Sequence, residues 1–206
     1  YVEREGLNQY MYSPDRMPDL ILFRKDLRLH DNGAACAAQS SDNVIPLVVT
    51  PSKEKTRHGI SRQGPHYVNA RKEAIHSLSQ EIEAQGGRLI HRVGNVSDIV
   101  SDVINTYNVS KIFVSDEPGT EEENQLLQLP NQTEVVTART QYLYDPDDAP
   151  FCISQTKDTF TPFRKELEKT CNPRTPLGTP QISWAQLDAE PIKMPEASFH
   201  PADSMP

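Results

Sequence analysis

The chain has 206 residues, of which 36% are hydrophobic, with a formal net charge of −8 at pH 7 and a mean hydropathy of −0.62. This length allows one well-packed core, and no apolar run approaches the length that a membrane span needs. The negative charge lies in residues 81–206, which hold 20 acidic and 10 basic side chains, so DNA is not expected as a partner.

The first part of the chain predicts two strands joined by a short helix. The runs at 19–23 and 44–49 are continuously apolar, as in strands that are covered on both faces. Between them, the Ala-rich stretch at 32–41 predicts a compact helix, with Asp31 or Asn32 as its N-cap.

A long helix is predicted at residues 64–87. Pro65 suits its first turn, and Gly86 and Gly87 are typical of its end. Helical spacing predicts that one apolar stripe is formed by Tyr67, Ala70, Ala74, Leu78 and Ile82.

Strands and helices continue to alternate up to residue 138. Residues 88–93, 111–115 and 133–138 predict strands, whereas 95–108 and the acidic stretch 119–130 predict helices. Five strands separated by helices predict an α/β fold, a Rossmann-like doubly wound five-stranded parallel sheet in the order 3-2-1-4-5.

The pattern dissolves after about residue 140. One further helix is predicted at 161–171, and the seven prolines from residue 172 onward predict an extended tail. We therefore expect an N-terminal extension at 1–17, an α/β domain at 18–140, a loop and helix leaving the domain at 141–178, and an extended tail at 179–206.

Charged residues follow the first and fourth predicted strands. Arg24, Lys25 and Asp26 come directly after strand one, and the acidic segment 115–123 follows strand four. The carboxyl ends of these strands meet where the strand order reverses, which is the usual ligand crevice of such sheets. The alternative is that Arg24, Asp26 and Arg28 only pair with one another and cap the sheet. Because Arg24 and Asp26 directly follow the first strand, we predict that both are buried and hydrogen-bond each other or nearby backbone.

Several motifs of other chemistries do not occur in the sequence. It contains neither G-x-G-x-x-G after strand one nor a phosphate-binding G-x-x-x-x-G-K-[ST], and no histidine lies at metal-ligand spacing from a cysteine. G-x-S-x-G is also absent, and Cys36 lies in an Ala-rich helix that favours a core role. Three widely spaced cysteines indicate an intracellular, reducing compartment. The residues alone indicate a Rossmann-like domain with a polar crevice, no metal and no catalytic residues.

Three collinear blocks, spread over residues 18–178, resemble the N-terminal α/β domain of the photolyase/cryptochrome family. They are LILFRKDLRLHDN, RQGPHYVNARKEAIHSL and YLYDPDDAPF…DTFTPFRKELEKTCNPRTPL, the last with features of DASH-type cryptochromes. In that family the α/β domain, called the antenna domain, can hold a folate, deazaflavin or flavin chromophore. A larger helical domain carries FAD, the electron-transfer tryptophans and the DNA-lesion pocket.

The resemblance implies which residues would meet a chromophore. Glu117 takes the position of a glutamate that engages folate in DASH-like members. The implied contact set on the two crevice loops is Arg24, Lys25, Asp26, Ser115, Asp116 and Glu117. The helical domain does not follow in this sequence. The sequence contains one tryptophan, Trp184. We therefore expect no FAD, no tryptophan relay and no enzymatic activity.

Three hypotheses of function follow. The chain is a non-catalytic binding or structural subunit of a larger assembly, a chromophore-binding antenna or light-sensor module, or a fragment of a DASH-type protein. Under the first, other protein subunits are contacted by Phe163, Arg164, Trp184 and Leu187, with Trp184 as the main anchor. The alternative is that the tail folds back over its own domain.

The compartment is inferred from the resemblance and the N-terminus. Residues 1–17 lack the pattern of a signal peptide, and because the chain begins with Tyr1 an upstream targeting segment could already be absent. DASH-like proteins are often organellar, which implies a chloroplast or mitochondrion.

Overall fold

The structure is a computed structural model. It describes residues 17–51, 63–119, 123–124, 126, 128–129, 133–152 and 155–187. Five strands form one parallel sheet in the order β3-β2-β1-β4-β5, which confirms the predicted topology. The strands are β1 (Asp19–Phe23), β2 (Val44–Thr50), β3 (Ile90–Val93), β4 (Lys111–Ser115) and β5 (Glu134–Ala138).

Four α-helices are described in full, and two of them begin with a side-chain cap. They are α1 (Gly33–Ala38), α2 (Pro65–Ala84), α3 (Val96–Tyr107) and α4 (Phe160–Thr170). The side chains of Asn32 and Asn95 accept backbone N–H groups in the first turns of α1 and α3, which satisfies donors that a helix start leaves unpaired. Of the two candidate caps for α1, the structure therefore has Asn32.

The core lies on both faces of the sheet. Along β1, Ile21 and Phe23 belong to a cluster with α1 and α2, whereas Leu20 and Leu22 belong to a cluster with α3. All four are at most 1% exposed, because consecutive residues of a strand point to opposite faces and both faces are covered by helices.

The apolar stripe predicted for α2 is correct only in its second half. Tyr67 is 45% exposed and Ala70 is also exposed, and the buried positions begin at Ile75 and continue through Leu78 and Ile82. Helical spacing sets which residues share a face, but it does not set where the sheet ends, so the described part of the chain leaves Tyr67 and Ala70 uncovered.

Several predicted boundaries also shift, most of them by one to three residues. The third strand begins at Ile90 rather than at residue 88, and the second extends to Thr50. Most of the helix predicted at 119–130 lies outside the described residues. No helix within the described ranges is long and apolar enough to cross a membrane.

The segment 172–187, here called the strap, folds back onto the domain. Ser183 O accepts the N–H of Val44 at 2.9 Å, and the N–H of Ala185 donates to Val44 O at 2.8 Å. Trp184 lies between them, 6% exposed, in a bridge with Val44, and its Nε1 donates to Gln85 Oε1 at 3.2 Å. Residues 188–206 of the predicted tail lie outside the described residues.

Candidate functional site

The carboxyl ends of β1 and β4 are adjacent at the point where the strand order reverses. Leu22 pairs with Val114 in parallel register, so the segments that follow the two strands leave the sheet side by side. We call this region the crevice, formed by residues 24–32 and 115–119. Contacts across the two loops join five of the six sequence-predicted chromophore residues, whereas the carboxylate of Asp116 lies near Arg139.

Asp26 is the central acceptor of the crevice. Its side chain accepts the backbone N–H of Arg24 at 3.2 Å and Asn32 Nδ2 at 3.0 Å, and Ser115 Oγ donates to Oδ2. Burial raises the pKa of Asp26, although the hydrogen bond from Ser115 opposes that rise. Because Asn32 also caps α1, one carboxylate ties β1, α1 and β4 together. The prediction that Arg24 and Asp26 are buried and hydrogen-bonded is confirmed.

Glu117 joins the other side of the crevice. It is 4% exposed, and its Oε1 accepts the backbone N–H of Lys25 at 3.2 Å. Its Oε2 lies 3.2 Å from Lys25 Nζ and 3.6 Å from Arg24 Nη2. A buried carboxylate needs such partners, so Glu117 acts first as a cross-link between the two loops. Arg28 does not join this cluster, since it pairs with Asp31 at 3.7 Å.

Arg71 of α2 is a crevice residue that sequence reasoning missed. Its Nη1 donates to Arg24 O at 2.7 Å and its Nη2 to Val49 O at 3.1 Å. Arg71 therefore holds the N-terminal part of α2 against the end of β1 and against β2. A signal was present, because Arg71 lies four residues before Ile75, on the buried face of the helix, where a charge requires a specific partner.

The charge of Arg71 also reaches His91 on β3. His91 Nε2 lies 2.9 Å from Thr50 Oγ1. Burial lowers the pKa of His91, and Arg71 lowers it further. The described residues contain no group of three or more potential metal ligands, so this histidine has no companion ligands there.

Asp116 forms the outer rim of the crevice. Its N–H donates to Ala138 O at 2.9 Å, which extends the ladder between β4 and β5. Its Oδ1 is shielded from solvent and accepts no hydrogen bond within the described part of the chain. Burial raises the pKa of Asp116, while the nearby Arg139 guanidinium opposes that rise. The half-exposed side chain of Lys25 is the part of the crevice that a ligand could reach.

The four predicted partner-binding residues are not brought together as one exposed set. Trp184 is buried, and Leu187 is half-buried against the cluster around α3, so the strap adopts the alternative arrangement and covers its own domain. On the domain surface the indole ring of Trp184 is better shielded from water than it would be in an extended tail. Phe163 is half-buried against Phe151, and Arg164 is exposed and lies 3.5 Å from Glu168.

The fold and the crevice together define a doubly wound α/β domain with its polar site at the strand-order reversal. The family model described as DNA photolyase matches residues 19–181 of this chain. The chain therefore belongs to the DNA photolyase family, as the resemblance implied.

The most similar relatives include several DASH cryptochromes. The chain is 29% identical over 170 residues to that of Natronomonas pharaonis, covering 79% of this chain and 36% of the relative. It is 31% identical over 155 residues to that of Idiomarina loihiensis, covering 72% and 34%. The crystal structure of a Synechocystis cryptochrome superimposes with a TM-score of 0.76 at 25% identity, covering 84% and 39%. The chain thus spans little more than a third of the length of these relatives.

Proposed function

We propose that this domain is a non-catalytic binding or structural unit of a larger assembly. The observation that carries the proposal is the exposure of Leu143 and Phe160, which are 71% and 70% exposed. Both lie in the segment that leaves the sheet after β5 and enters α4. Large apolar side chains that are this exposed favour a surface that another folded unit covers.

The lengths of the relatives also support packing of this domain against a second folded unit. Each contains roughly twice as much further chain as this one matches, because the match spans 34–39% of their length. The segment after β5 leads away from the sheet and is the natural place for such a unit to pack. The strap contributes less than its sequence suggested, since Trp184 is already buried in its own domain.

A photo-cross-linking experiment in the native cell tests this proposal. Benzoylphenylalanine placed at Phe160 should give one discrete cross-linked adduct on illumination, and the same group at Tyr67 should give none. Tyr67 is the matched control because it is an exposed aromatic residue on α2, far along the chain from this segment. A protein that stays monomeric with the cross-linker at both positions would contradict the proposal.

Chromophore binding at the crevice is a second candidate, and the rim favours it. The half-exposed side chain of Lys25 offers a cation at the usual ligand position of such sheets. The fit is incomplete, because the carboxylate of Glu117 is already paired with Lys25 and Arg24 and its side chain is 2% exposed.

A titration with a reduced folate and with FMN tests this second candidate. If either binds at the crevice, Glu117→Gln should weaken it, since Lys25 would lose the partner that positions it. The exposed Glu168→Gln on α4 is the control and should bind like the unaltered chain. Equal affinity in all three proteins would place the ligand elsewhere.

A further inference from the structure

A cavity of about 790 Å³ lies in the segment between β5 and α4. None of the six crevice residues predicted from the sequence lines it. Its walls include four aromatic rings, from Tyr142, Tyr144, Phe151 and Phe163. Phe151 and Phe163 meet edge to face with their centroids 5.7 Å apart and their planes at 60°. The volume is within the roughly 300–1,000 Å³ range of small-molecule sites, and aromatic walls are typical of them.

The charged groups at this cavity pair with one another. Arg139 Nη1 lies 2.8 Å from Asp145 Oδ1 and 2.5 Å from Asp147 Oδ2. Asp145 is also held by Arg174, at 2.7 Å. With Arg174 and its second partner Asp148 included, this cluster holds three carboxylates and two guanidinium groups, an excess of one negative charge.

Charged residues around the cavity make its electrostatic potential more negative. Asp116 and Glu123 raise the pKa of Tyr142 after the larger effect of desolvation, and Arg139 only partly opposes them. An anion entering the cavity meets this field as repulsion, whereas a cation meets it as attraction. The faces of tyrosine and phenylalanine rings also attract cations.

Hydrogen-bonding groups are available beside the rings. The hydroxyls of Tyr142 and Tyr144 make no hydrogen bond to any described residue, so each can donate to or accept from a ligand. Arg139 uses only Nη1 in its contacts with the described residues, which leaves Nε and Nη2 as further donors. A ligand with polar atoms at the edge of a flat ring suits this arrangement.

We propose that the cavity between β5 and α4 binds a planar heteroaromatic molecule that is neutral or positively charged. Stacking and edge contacts with the four aromatic rings supply the affinity, and the excess of carboxylates selects against anions. The proposal does not rest on the proposed function, because it needs neither a second folded unit nor a ligand in the crevice.

Binding of two tricyclic probes of opposite charge to the purified chain tests the proposal. Proflavine is a planar cation and 9-anthracenecarboxylate is a planar anion, and fluorescence anisotropy measures the dissociation constant of each. We expect proflavine to bind at least about tenfold more tightly. Absence of proflavine binding, or equal affinity for both probes, would overturn the proposal.

Substitutions locate the bound probe. Tyr144→Leu keeps an apolar side chain at this position but removes the ring and the hydroxyl. It should raise the dissociation constant of proflavine by about fivefold or more. Asp147→Asn should reduce the preference for the cation. Tyr67 lies outside the cavity, so Tyr67→Leu should bind proflavine unchanged. Tyr144 is half-buried and Asp147 exposed, and the fluorescence of Trp184 verifies that each variant folds. Proflavine binding that falls equally in Tyr67→Leu and Tyr144→Leu would contradict the assignment.

Discussion

Asp26 shows how a single carboxylate organises the polar end of the sheet. Donors from three separate segments converge on it, from the backbone of Arg24, from Asn32 before α1 and from Ser115 at the end of β4. A buried donor that loses its acceptor costs about 1–3 kcal/mol. The charged residues that follow β1 therefore have a structural role, because they hold three segments of the chain together.

Replacing Asp26 by Ala should lower the free energy of unfolding by about 1–3 kcal/mol near neutral pH, because buried donors lose their acceptor. Urea denaturation measures the change. Asp102→Ala, at an exposed position of α3, is the control and should stay within about 0.5 kcal/mol of the unaltered chain. A penalty for Asp26→Ala inside that same range would contradict the structural role.

The penalty of Asp26→Ala should also depend on pH. Burial raises the pKa of Asp26 above its ordinary value of 3.8, so the folded chain binds this proton more tightly than the unfolded chain. The resulting stabilisation is complete below the ordinary value and is lost as pH rises through the raised value. The penalty measured near pH 4 should thus exceed that near pH 7, and a penalty that grows with pH would show a lowered pKa instead.

At the scale of elements, the strap completes the core that the helices leave open. Ile182 and Trp184 join the cluster formed by β1, α1 and α2, and Gln85 after α2 receives the N–H of both. Gly87 allows this approach, because a Cβ there would lie 2.6 Å from Trp184 Cδ1 and 2.8 Å from Ile82 Cγ2. The contact between Gly87 and Trp184 therefore fixes where the strap crosses the domain.

Gly87→Ala should lower the free energy of unfolding by about 1–3 kcal/mol, since the added methyl group overpacks the indole site. Displacement of the strap should also shift the fluorescence of Trp184 to longer wavelength and open it to an aqueous quencher. Gly64→Ala is the matched control, because a Cβ at this N-cap of α2 meets no atom within 4 Å. Unchanged quencher access in Gly87→Ala would mean that the strap does not cross there in solution.

At the scale of the whole molecule, family membership favours DNA binding, whereas the charge of this chain disfavours it. The family model is that of DNA photolyase, yet this chain has a net charge of −8 and its second part, residues 81–206, holds 20 acidic against 10 basic side chains. Binding to a phosphate backbone draws on clustered lysine and arginine. At the crevice, Arg24 and Lys25 are engaged with Glu117, and the neighbouring Arg71 is engaged with backbone carbonyls.

We therefore expect the purified chain, illuminated with added FAD, to remove no lesions from ultraviolet-damaged DNA. Its binding to undamaged DNA should likewise be too weak to show a salt dependence. A full-length photolyase assayed in parallel is the positive control. Light-dependent loss of lesions in the presence of this chain alone would contradict the proposal that it is a non-catalytic unit.

The pattern of apolar runs was enough to predict the sheet and the location of the crevice. The strands at 19–23 and 44–49 are continuous apolar runs, and such runs separated by helical patterns leave few possible topologies. Burial of Arg24 and Asp26 also followed, because residues that directly succeed a central buried strand remain close to the core. Local pattern and global fold agree at these positions.

The partners that each side chain takes could be seen only in the folded structure. The sequence left open whether Trp184 meets another protein or its own domain, because an extended segment with spaced apolar residues suits either surface. The pairing of Glu117 with Lys25, the role of Arg71 and the exposure of Tyr67 are equally undetermined by spacing. Each depends on the distance between segments far apart in the chain, and that distance exists only once the sheet has brought them together.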